Sequence, residues 1–419
     1  MSESLYWTWL SLKLGDSSPY LNTLVSLYSS PKEIFDASKS ELLSLEKIPE
    51  SVKIRLSDKS LDRAERIIED CRKNGIGIMT YSDPRYPRIL KYTKNPPAVL
   101  YFKGRPIDFD NKFCVAIVGT RTMSDYGRNM AYKFVYELAS AGAIVISGMA
   151  LGIDGMAAAG ALDAQASTVA VLGGGVDVIY PKVHKKLYSN ILKEGMILSE
   201  YPPGSTPDGV HFPKRNRIIS GLARCTLVVE CPDPSGALIT AKKASAQGRP
   251  VFVIPGALDM PNSVGANKLI KEGARMVTSA SDIIEAFEPA AFLDLDINAI
   301  GAMEYDSKKA ANRYGVQSKK DSRRIIRIKK TKHTEEDAFT EPAASIGMEK
   351  EQKEEQPDFM IISSAEKQLY ECIPEEGSVG YDFLVATSGQ SLQDVLMHVM
   401  SLVVKRAIVE LPGNRYRRT

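Results

Sequence analysis

Three short apolar runs, each ending in a glycine turn, constrain the fold of this chain most. The runs span residues 113–118, 143–146 and 168–172, and they lead into Gly119-Thr120-Arg121, Ser147-Gly148 and Gly173-Gly174-Gly175. Such runs are typical of strands buried on both faces. Stretches with helical spacing separate them, which predicts a doubly wound parallel sheet. Ligands of such sheets bind beyond the carboxyl ends of the strands, so the glycine turns are expected to line one site.

The periodicity predicts four regions along the chain. Residues 1–75 read as a small helical module, and residues 76–290 as one large α/β domain with further strands at 76–80, 98–102, 226–230, 251–254 and 275–277. Residues 291–360 lose this periodicity and separate into basic and acidic blocks, which is typical of a solvated, flexible linker. Residues 361–419 read as three helices and a β-hairpin, which predicts a winged helix.

Composition favours a cytoplasmic protein. The sequence contains no apolar stretch long enough to cross a membrane and no recognisable signal peptide, so no membrane association is expected. Its five cysteines are scattered at apolar positions without a CxxC pair, which is typical of reduced thiols in a core. The formal net charge of +3 hides an uneven distribution of 54 basic and 51 acidic residues.

Cations recur beside the glycine turns. Arg121 stands in the first turn, where Ser124 is placed to cap the next helix and to favour an anion at its start. Further cations occur at Lys182, at Lys214, Arg215 and Arg217, and at Lys242 and Lys243. Arg121 could instead pair with a local carboxylate, and a charge run is usually a solvated face. However, these cations all fall beside glycine turns that should share one crevice, and this arrangement favours a binding track for several phosphates. Asp154, in the first turn of a helix, is better explained by the helix dipole than by catalysis.

Several motifs of enzymes are missing. There is no GxxxxGK[ST] loop for ATP and no GxGxxG with a ribose-binding acid for a dinucleotide. There is also no HExxH, no paired cysteine ligands and no GxSxG elbow. We therefore expect no metal, no cofactor and no catalytic residues, and a protein that is not an enzyme.

Taken in order, the motifs closely resemble those of the DNA-processing protein A (DprA, or Smf) family. Besides the glycine turns, they are Gly152-Ile153-Asp154, Tyr180-Pro181, Ser199-Glu200-Tyr201-Pro202-Pro203-Gly204, Arg215-Asn216-Arg217-Ile218-Ile219-Ser220-Gly221-Leu222, Ser235-Gly236, Leu238-Ile239-Thr240-Ala241, Pro255-Gly256 and Leu411-Pro412-Gly413-Asn414-Arg415-Tyr416. Thr120 stands where serine is usual in the family, and Cys231-Pro232-Asp233-Pro234 departs from a stretch that is commonly less rich in proline.

The resemblance implies an extended Rossmann-like domain between an N-terminal SAM-like helical domain and a C-terminal winged helix. It also implies a homodimer that binds single-stranded DNA without reading its sequence and loads the RecA recombinase in natural transformation. By motif position, the sharpest DNA contacts are Arg121 and Lys182. The full expected contact set comprises Gly119, Thr120, Arg121, Ser147, Gly148, Gly173, Gly174, Lys182, Lys214, Arg215, Asn216, Arg217 and Lys242.

Leu269 and Ile270 are candidates for the dimer contact implied by the resemblance, although core packing suits at least one of them better. Tyr126, Tyr180, Tyr201 and Phe212 could stack on bases, although two or more of them are expected in the core.

Two other functions compete with this interpretation. A Rossmann nucleotide-processing hydrolase of the lysine-decarboxylase-like type has similar glycine turns, but its PGGxGTxxE motif is absent. A transcriptional regulator would read DNA through a winged helix, yet the candidate recognition helix, residues 392–404, is mostly apolar or neutral.

Overall fold

The computed structural model describes residues 3–287, 295–300, 306–319, 364–374, 378–391, 394–395, 398–399, 401–402, 407–411 and 415–418. The chain divides into two compact units, residues 1–337 and 338–419. The predicted boundaries at residues 75 and 290 therefore fall inside the first unit.

A nine-stranded sheet forms the centre of the first unit, in the order β1-β2-β6-β5-β4-β3-β7-β8-β9. Its strands are β1 Gly77–Thr80, β2 Val99–Gly104, β3 Cys114–Val118, β4 Ile144–Ser147, β5 Thr168–Val171, β6 Met196–Ser199, β7 Cys225–Val228, β8 Val251–Val253 and β9 Arg275–Met276. Strands β3 to β9 all run parallel to their neighbours among themselves. At one edge of the sheet, β2 pairs antiparallel with both β6 and β1. The predicted doubly wound Rossmann-like sheet is confirmed, and β6 is an additional strand that the sequence patterns did not predict.

Helices cover both faces of the sheet. They are α1 Glu3–Leu14, α2 Leu21–Leu27, α3 Pro31–Asp36, α4 Lys39–Ser44, α5 Glu50–Ser57, α6 Asp62–Lys73, α7 Arg88–Lys91, α8 Asp125–Ser140, α9 Ile153–Asp163, α10 Lys185–Glu194, α11 His211–Leu222, α12 Gly236–Ala246, α13 Val264–Lys271 and α14 Ser281–Ile284. Ser124 caps α8 as predicted, because its hydroxyl accepts from the Gly127 N–H at 3.0 Å.

Strand β3 shows how the sheet separates the core into two layers. All of its residues are buried. Val115 and Ile117 belong to the apolar cluster that includes α8 and α9, whereas Ala116 and Val118 belong to the cluster that includes α11 and α12. Successive side chains of a strand point to opposite faces, so an uninterrupted apolar run is what a doubly covered strand needs.

The N-terminal helices pack onto this domain within the same unit. Trp9 and Leu10 of α1 are completely or almost completely buried. The indole N–H of Trp7 donates to the hydroxyl of Ser82 at 2.8 Å, which joins α1 to the loop after β1.

Part of the predicted linker is folded. Residues 306–319 include helix α15, Ser307–Tyr314, and a short strap that follows it. The Tyr314 hydroxyl donates to Asp163 of α9 at 2.8 Å, and Ala310 and Val316 are buried. The linker prediction was therefore wrong for this segment, because a few apolar residues dock it on α9 despite its many charges. The basic run from residue 320 and the acidic block 335–358 lie outside the described residues.

The second unit has its own small core. Its described elements are α16 Ser364–Glu371, β10 Val379–Gly380, α17 Tyr381–Ser388, β11 Ile408–Leu411 and β12 Arg415–Arg418, and residues 394–395, 398–399 and 401–402 are helical. The antiparallel strands follow the order β10-β12-β11. Leu369, Leu384 and Tyr416 are buried. The winged helix stays a prediction, and its proposed turn at residues 412–414 lies outside the described residues.

Within the part of the chain that the structure describes, no helix has both the length and the hydrophobicity that a bilayer span requires. Four of the five cysteines, Cys71, Cys114, Cys225 and Cys231, are buried as free thiols, in agreement with the core positions expected for them. Burial raises the pKa of the Cys71 thiol to about 12.

Candidate nucleic-acid interface

The glycine turns open onto a crevice at the topological switch point of the sheet, where the chain changes the side on which it adds strands. From β3 the chain continues to β4 on one side, while β7 lies on the other side. The crevice is an open cleft of about 1280 Å³ that is lined by the turn after β3, the start of α11 and the start of α12. A narrower pocket of about 470 Å³ adjoins it at Gly173 and Gly174. Ligands of doubly wound sheets bind at this reversal point.

The first glycine turn is fixed by its own backbone. The Thr120 N–H donates to the Glu230 carbonyl at 2.7 Å, and the Thr120 hydroxyl accepts from the Thr122 N–H. Gly119 lies against Ile153, where a Cβ atom would come within 2.5 Å of that side chain. Gly152 has a φ of +77°, and a Cβ atom there would lie 2.3 Å from the Thr120 carbonyl oxygen. Only glycine allows this approach between the two turns.

Arg121 is exposed at the rim of the crevice above an aromatic pair. Its guanidinium carbon lies 5.2 Å from the centre of the Phe212 ring. The Tyr180 ring stacks on Phe212 at 5.4 Å with an interplanar angle of 29°, and Tyr180 is 46% exposed. No ion pair joins Arg121 to a carboxylate among the described residues, so its charge is available to an external anion.

The second turn is held by a buried carboxylate and a buried guanidinium. The Asp154 carboxylate accepts from the N–H groups of Gly148 at 3.1 Å and Ala150 at 3.4 Å. The Arg215 guanidinium donates to the carbonyls of Gly148 and Val171. A Cβ atom on Gly148 would lie 2.6 Å from both side chains. The glycine therefore makes room for the two groups that fix the turn.

Burial changes the titration of both groups. It raises the pKa of Asp154 and lowers the pKa of Arg215 to about 10, and the charge of each partner opposes these shifts. Arg215 therefore remains protonated at neutral pH. It lines the crevice as part of the scaffold, and its donors are directed to the carbonyls of Gly148 and Val171 and to the side-chain oxygen of Asn216.

The third glycine turn packs closely against the neighbouring loops, and one exposed lysine follows it in the chain. Gly173 approaches Phe212 so closely that a Cβ atom would lie 2.9 Å from the ring, and its carbonyl contacts His211 Nδ1 at 3.0 Å. Gly174 packs against the Ser205 carbonyl, and a Cβ atom on Gly174 would lie 2.9 Å from that oxygen. Lys182 follows Pro181, which lines the pocket, and is exposed.

Four expected contacts are directed away from the crevice. Arg217 is 5% exposed and forms a bidentate pair with Glu200 at 2.7 and 2.6 Å, so the expectation that it faces phosphates was wrong. The Ser147 hydroxyl points into the sheet and donates to the Ile117 carbonyl at 2.7 Å. Lys214 pairs with Asp16 of the N-terminal module at 3.1 Å. Lys242 lines a separate cleft with Leu269 and Arg275.

Asn216 borders the crevice, where its side-chain carbonyl accepts from Arg215 Nε at 3.2 Å. Of the other stacking candidates, Tyr201 is buried, as expected for a core ring. Tyr126 is exposed, and its hydroxyl donates to the Pro255 carbonyl at 2.8 Å. Leu269 is buried, and Ile270 is half-buried against the same core.

The strap after α15 reaches the crevice, which the sequence patterns did not indicate. The Gly152 N–H donates to the Gln317 carbonyl, and the Lys319 N–H donates to the Arg121 carbonyl, both at 2.9 Å. The Gln317 N–H in turn donates to His184 Nε2 at 3.2 Å. The strap thus ties the first two glycine turns to the start of α10. No periodic signal marks it, since its bonds to the glycine turns are made by the backbone.

The domain that contains the crevice matches a known family. A family model for DNA recombination-mediator protein A matches residues 77–288. The chain belongs to the DNA recombination-mediator protein A family. It is 41% identical over 220 residues to DNA processing protein DprA of Bacillus subtilis, covering 52% of this chain and 74% of the relative. A putative DNA processing protein DprA of Mycobacterium tuberculosis is 30% identical over 373 residues, which are 86% of this chain and 81% of the relative.

A solved member of the recombination-mediator family has the same architecture. The X-ray structure of DNA processing protein A from Streptococcus pneumoniae aligns with a TM-score of 0.60 at 32% identity, covering 69% of this chain and 99% of the other. The family resemblance expected from the motifs is confirmed, and the crevice lies within the matched region.

Proposed function

We propose that this chain binds single-stranded DNA without sequence preference in the glycine-turn crevice and, as a cytoplasmic homodimer, loads the RecA recombinase onto that strand in natural transformation. Membership of a recombination-mediator family supports the general role. The finer role is supported by the resemblance described above and by the geometry of the crevice.

One observation carries the DNA-binding part of the proposal. Arg121 is exposed beside the stacked rings of Tyr180 and Phe212, at the reversal point of the sheet. A cation next to an accessible aromatic face suits a phosphate followed by an unpaired base. In a duplex the bases are stacked on each other, so their faces are not available to Tyr180. The arrangement therefore favours a single strand.

We also propose that binding, rather than catalysis, is the task of the crevice. A buried carboxylate with a raised pKa can mark an active site. Asp154 is such a group, but its contacts are to the backbone N–H groups that shape the second turn. This role explains its burial without a reaction, and it disfavours the hydrolase alternative.

The test is a fluorescence anisotropy titration of labelled oligo(dT) with the full-length protein. Arg121→Glu combined with Lys182→Glu should weaken binding by at least 100-fold and leave the melting temperature unchanged, since both side chains are exposed. Lys193→Glu combined with Lys242→Glu is the matched control. It makes the same charge change at exposed residues outside the crevice lining and should weaken binding only slightly. Equal losses in both variants would contradict the proposed track.

The role toward RecA requires a separate measurement. The rate at which RecA forms filaments on an oligonucleotide coated with single-strand-binding protein should rise with the wild-type chain and not with Arg121→Glu/Lys182→Glu. An unchanged rate with the wild-type chain, together with intact oligo(dT) binding, would refute RecA loading alone. Removing residues 361–419 should retain most oligo(dT) binding if the first unit holds the DNA.

A further inference from the structure

The chain returns to the crevice after the α/β domain. Helix α15 and the strap, residues 315–319, lie outside the region that the family model matches, residues 77–288. Ala310 and Val316 are buried against the domain. Gly155 of α9 makes room for the strap, because a Cβ atom on Gly155 would lie 2.9 Å from the Val316 side chain. The strap is therefore packed into the domain as one of its structural parts.

The strap connects the first glycine turn to the start of α10. Its last residue, Lys319, donates its backbone N–H to the Arg121 carbonyl at 2.9 Å. Its first residue, Gly315, lies beside α10, since a Cβ atom on Gly315 would be 3.8 Å from the Lys186 Cβ. Four residue steps extend over at most about 14 Å. Arg121 and Lys186 therefore border the same short stretch of surface.

This stretch of surface is lined by cations. Lys182, Lys185 and Lys186 lie at the start of α10 and just before it, and all three are exposed, as is Lys319. None of these four lysines, nor Arg121, forms an ion pair with a carboxylate in the part of the chain that the structure describes. The positive charge of the crevice rim thus continues along the strap and onto α10.

The carboxylates of the neighbouring elements are engaged elsewhere. Asp163 of α9 accepts from Arg313 and Tyr314, and Asp306 accepts the Lys309 N–H at 2.8 Å at the start of α15. Like charges without counter-charges repel each other. An anionic polymer that lies along them removes this repulsion and releases counterions. The surface is therefore suited to a row of phosphates.

We propose that Lys185, Lys186 and Lys319 form a lysine shelf that binds the phosphates of a single DNA strand where the strand leaves the crevice. The proposal rests on the DNA-binding function proposed above and deepens it, because residues beyond the matched family region lengthen the track. Lysine contacts phosphate as a point charge and does not read bases. The shelf therefore adds affinity and salt dependence without sequence preference.

The lysine shelf predicts a dependence on strand length. It is measured by fluorescence anisotropy of the full-length protein with labelled oligo(dT) of about 4 to about 16 nucleotides, roughly the range of site sizes of single-strand-binding domains. Lys185→Gln combined with Lys186→Gln and Lys319→Gln should leave the affinity for the shortest strand that binds unchanged. It should weaken binding of the longest strand by roughly tenfold or more and lower its salt slope by about 2, at about 0.7 for each phosphate contact.

A matched control removes the same charge elsewhere. Lys39→Gln combined with Lys193→Gln and Lys242→Gln changes three exposed lysines outside the shelf. Lys193 lies on α10 itself, about 12 Å along the helix from Lys185. The control variant should retain the length dependence and the salt slope of the wild type, and both variants should retain its melting temperature because all six side chains are exposed.

Substitutions of Lys319 alone separate its charge from the position of the strap. Lys319→Gln should lower the salt slope for the longest strand by about 0.7, and Lys319→Arg should retain the slope. Both variants keep the backbone N–H that bonds to Arg121, so a difference between them reports the charge. Equal losses in the two variants would show that the strap acts through its shape alone, which overturns the proposal.

The remaining outcomes distinguish the lysine shelf from the crevice. The proposal is overturned if the triple Gln variant of the shelf binds the longest strand as the wild type does, loses affinity equally at every length, or loses more affinity for duplex than for single strands. The crevice stands in these cases if Arg121→Glu/Lys182→Glu abolishes binding of the shortest strand. If that variant instead binds as the wild type does, the crevice fails, and the loss in the triple Gln variant decides the shelf by itself. A wild-type protein that binds no oligo(dT) overturns both.

Discussion

The turn after β3 and helix α11 both carry arginines but use them in opposite ways. Arg121 is exposed over the Phe212 ring. Arg217 is 5% exposed and engages Glu200 through two hydrogen bonds. Arg215, two residues before Arg217 on α11, donates to the carbonyls of Gly148 and Val171.

The difference lies in what surrounds each guanidinium. A buried arginine is stable only when carboxylates or carbonyls occupy its donors, so Arg215 and Arg217 are committed to the scaffold. An arginine on a turn pays no such desolvation and keeps its donors for a ligand. Both buried arginines therefore stabilise the scaffold, where only Arg215 lines the crevice, and the exposed cations of the turns are left to bind.

The largest expected effect is on stability, at the buried pair. Arg217→Ala leaves the Glu200 carboxylate buried without its partner and should reduce the free energy of unfolding by about 3 to 5 kcal/mol. Lys214→Ala, on the same helix, removes a half-exposed pair with Asp16 and should cost about 1 kcal/mol or less. Urea denaturation followed by the fluorescence of Trp7 and Trp9, which lie in the same unit, measures both. Similar losses in the two variants would remove the distinction between the regions.

The next effect concerns the aromatic face beside Arg121. Tyr180→Leu should weaken oligo(dT) binding by about 1 to 3 kcal/mol, since one base loses its stacking partner. Tyr126→Leu is a matched control, because the two tyrosines are 46% and 44% exposed and Tyr126 does not line the crevice. If both variants bind as the wild type does, the strand does not stack on this ring.

The charge on the turns should also be visible in the salt dependence of binding. Lys182→Gln should lower the slope of log K against log[salt] by about 0.7, as expected for one phosphate contact on a single strand. Lys242→Gln should leave the slope unchanged, since Lys242 lines a different cleft. The slopes of both variants are measured by anisotropy titrations at NaCl concentrations of about 50 to about 300 mM, where such plots are linear. A lower slope for Lys242→Gln would bring that residue back into the track.

The sequence predicted the features that depend on neighbouring residues. The runs before Gly119, Gly148 and Gly173 are continuous and apolar, so the strands and turns could be placed within a residue or two. Strand β6 escaped prediction because Met196–Ser199 is short, and Ile197 is its only β-branched aliphatic residue.

Whether each of these arginines is buried or exposed depends on residues that are distant along the chain. Arg217 meets a carboxylate 17 positions away, and Arg215 meets a carbonyl 67 positions away. A count of charges in one segment cannot tell such a buried arginine from an exposed one. The strap at Gln317 was missed for a related reason, since backbone groups bond it to Gly152 and leave no pattern of side chains.

The smallest expected effect is a pH dependence at the strap, where a buried histidine links the scaffold to the turns. His184 is fully buried, and its Nε2 accepts the Gln317 N–H, so the ring is neutral and carries its proton on Nδ1 toward the Met149 carbonyl. Burial lowers the pKa of His184 in the folded state. In the unfolded chain the pKa returns to about 6.5. The stability that depends on the neutral ring is therefore complete above that pH and is lost as the pH falls toward the folded pKa.

His184→Gln removes this titration and keeps a polar side chain. The wild type should lose more stability than His184→Gln when thermal melts at pH 7.5 and pH 5.5, on either side of the ordinary histidine pKa of about 6.5, are compared. Carboxylates elsewhere contribute equally to both proteins and cancel in the difference. Equal losses would show that the strap does not depend on the charge of His184. The connection between the strap and the glycine turns would then rest on two backbone bonds alone, from the Gly152 N–H to Gln317 and from the Lys319 N–H to Arg121.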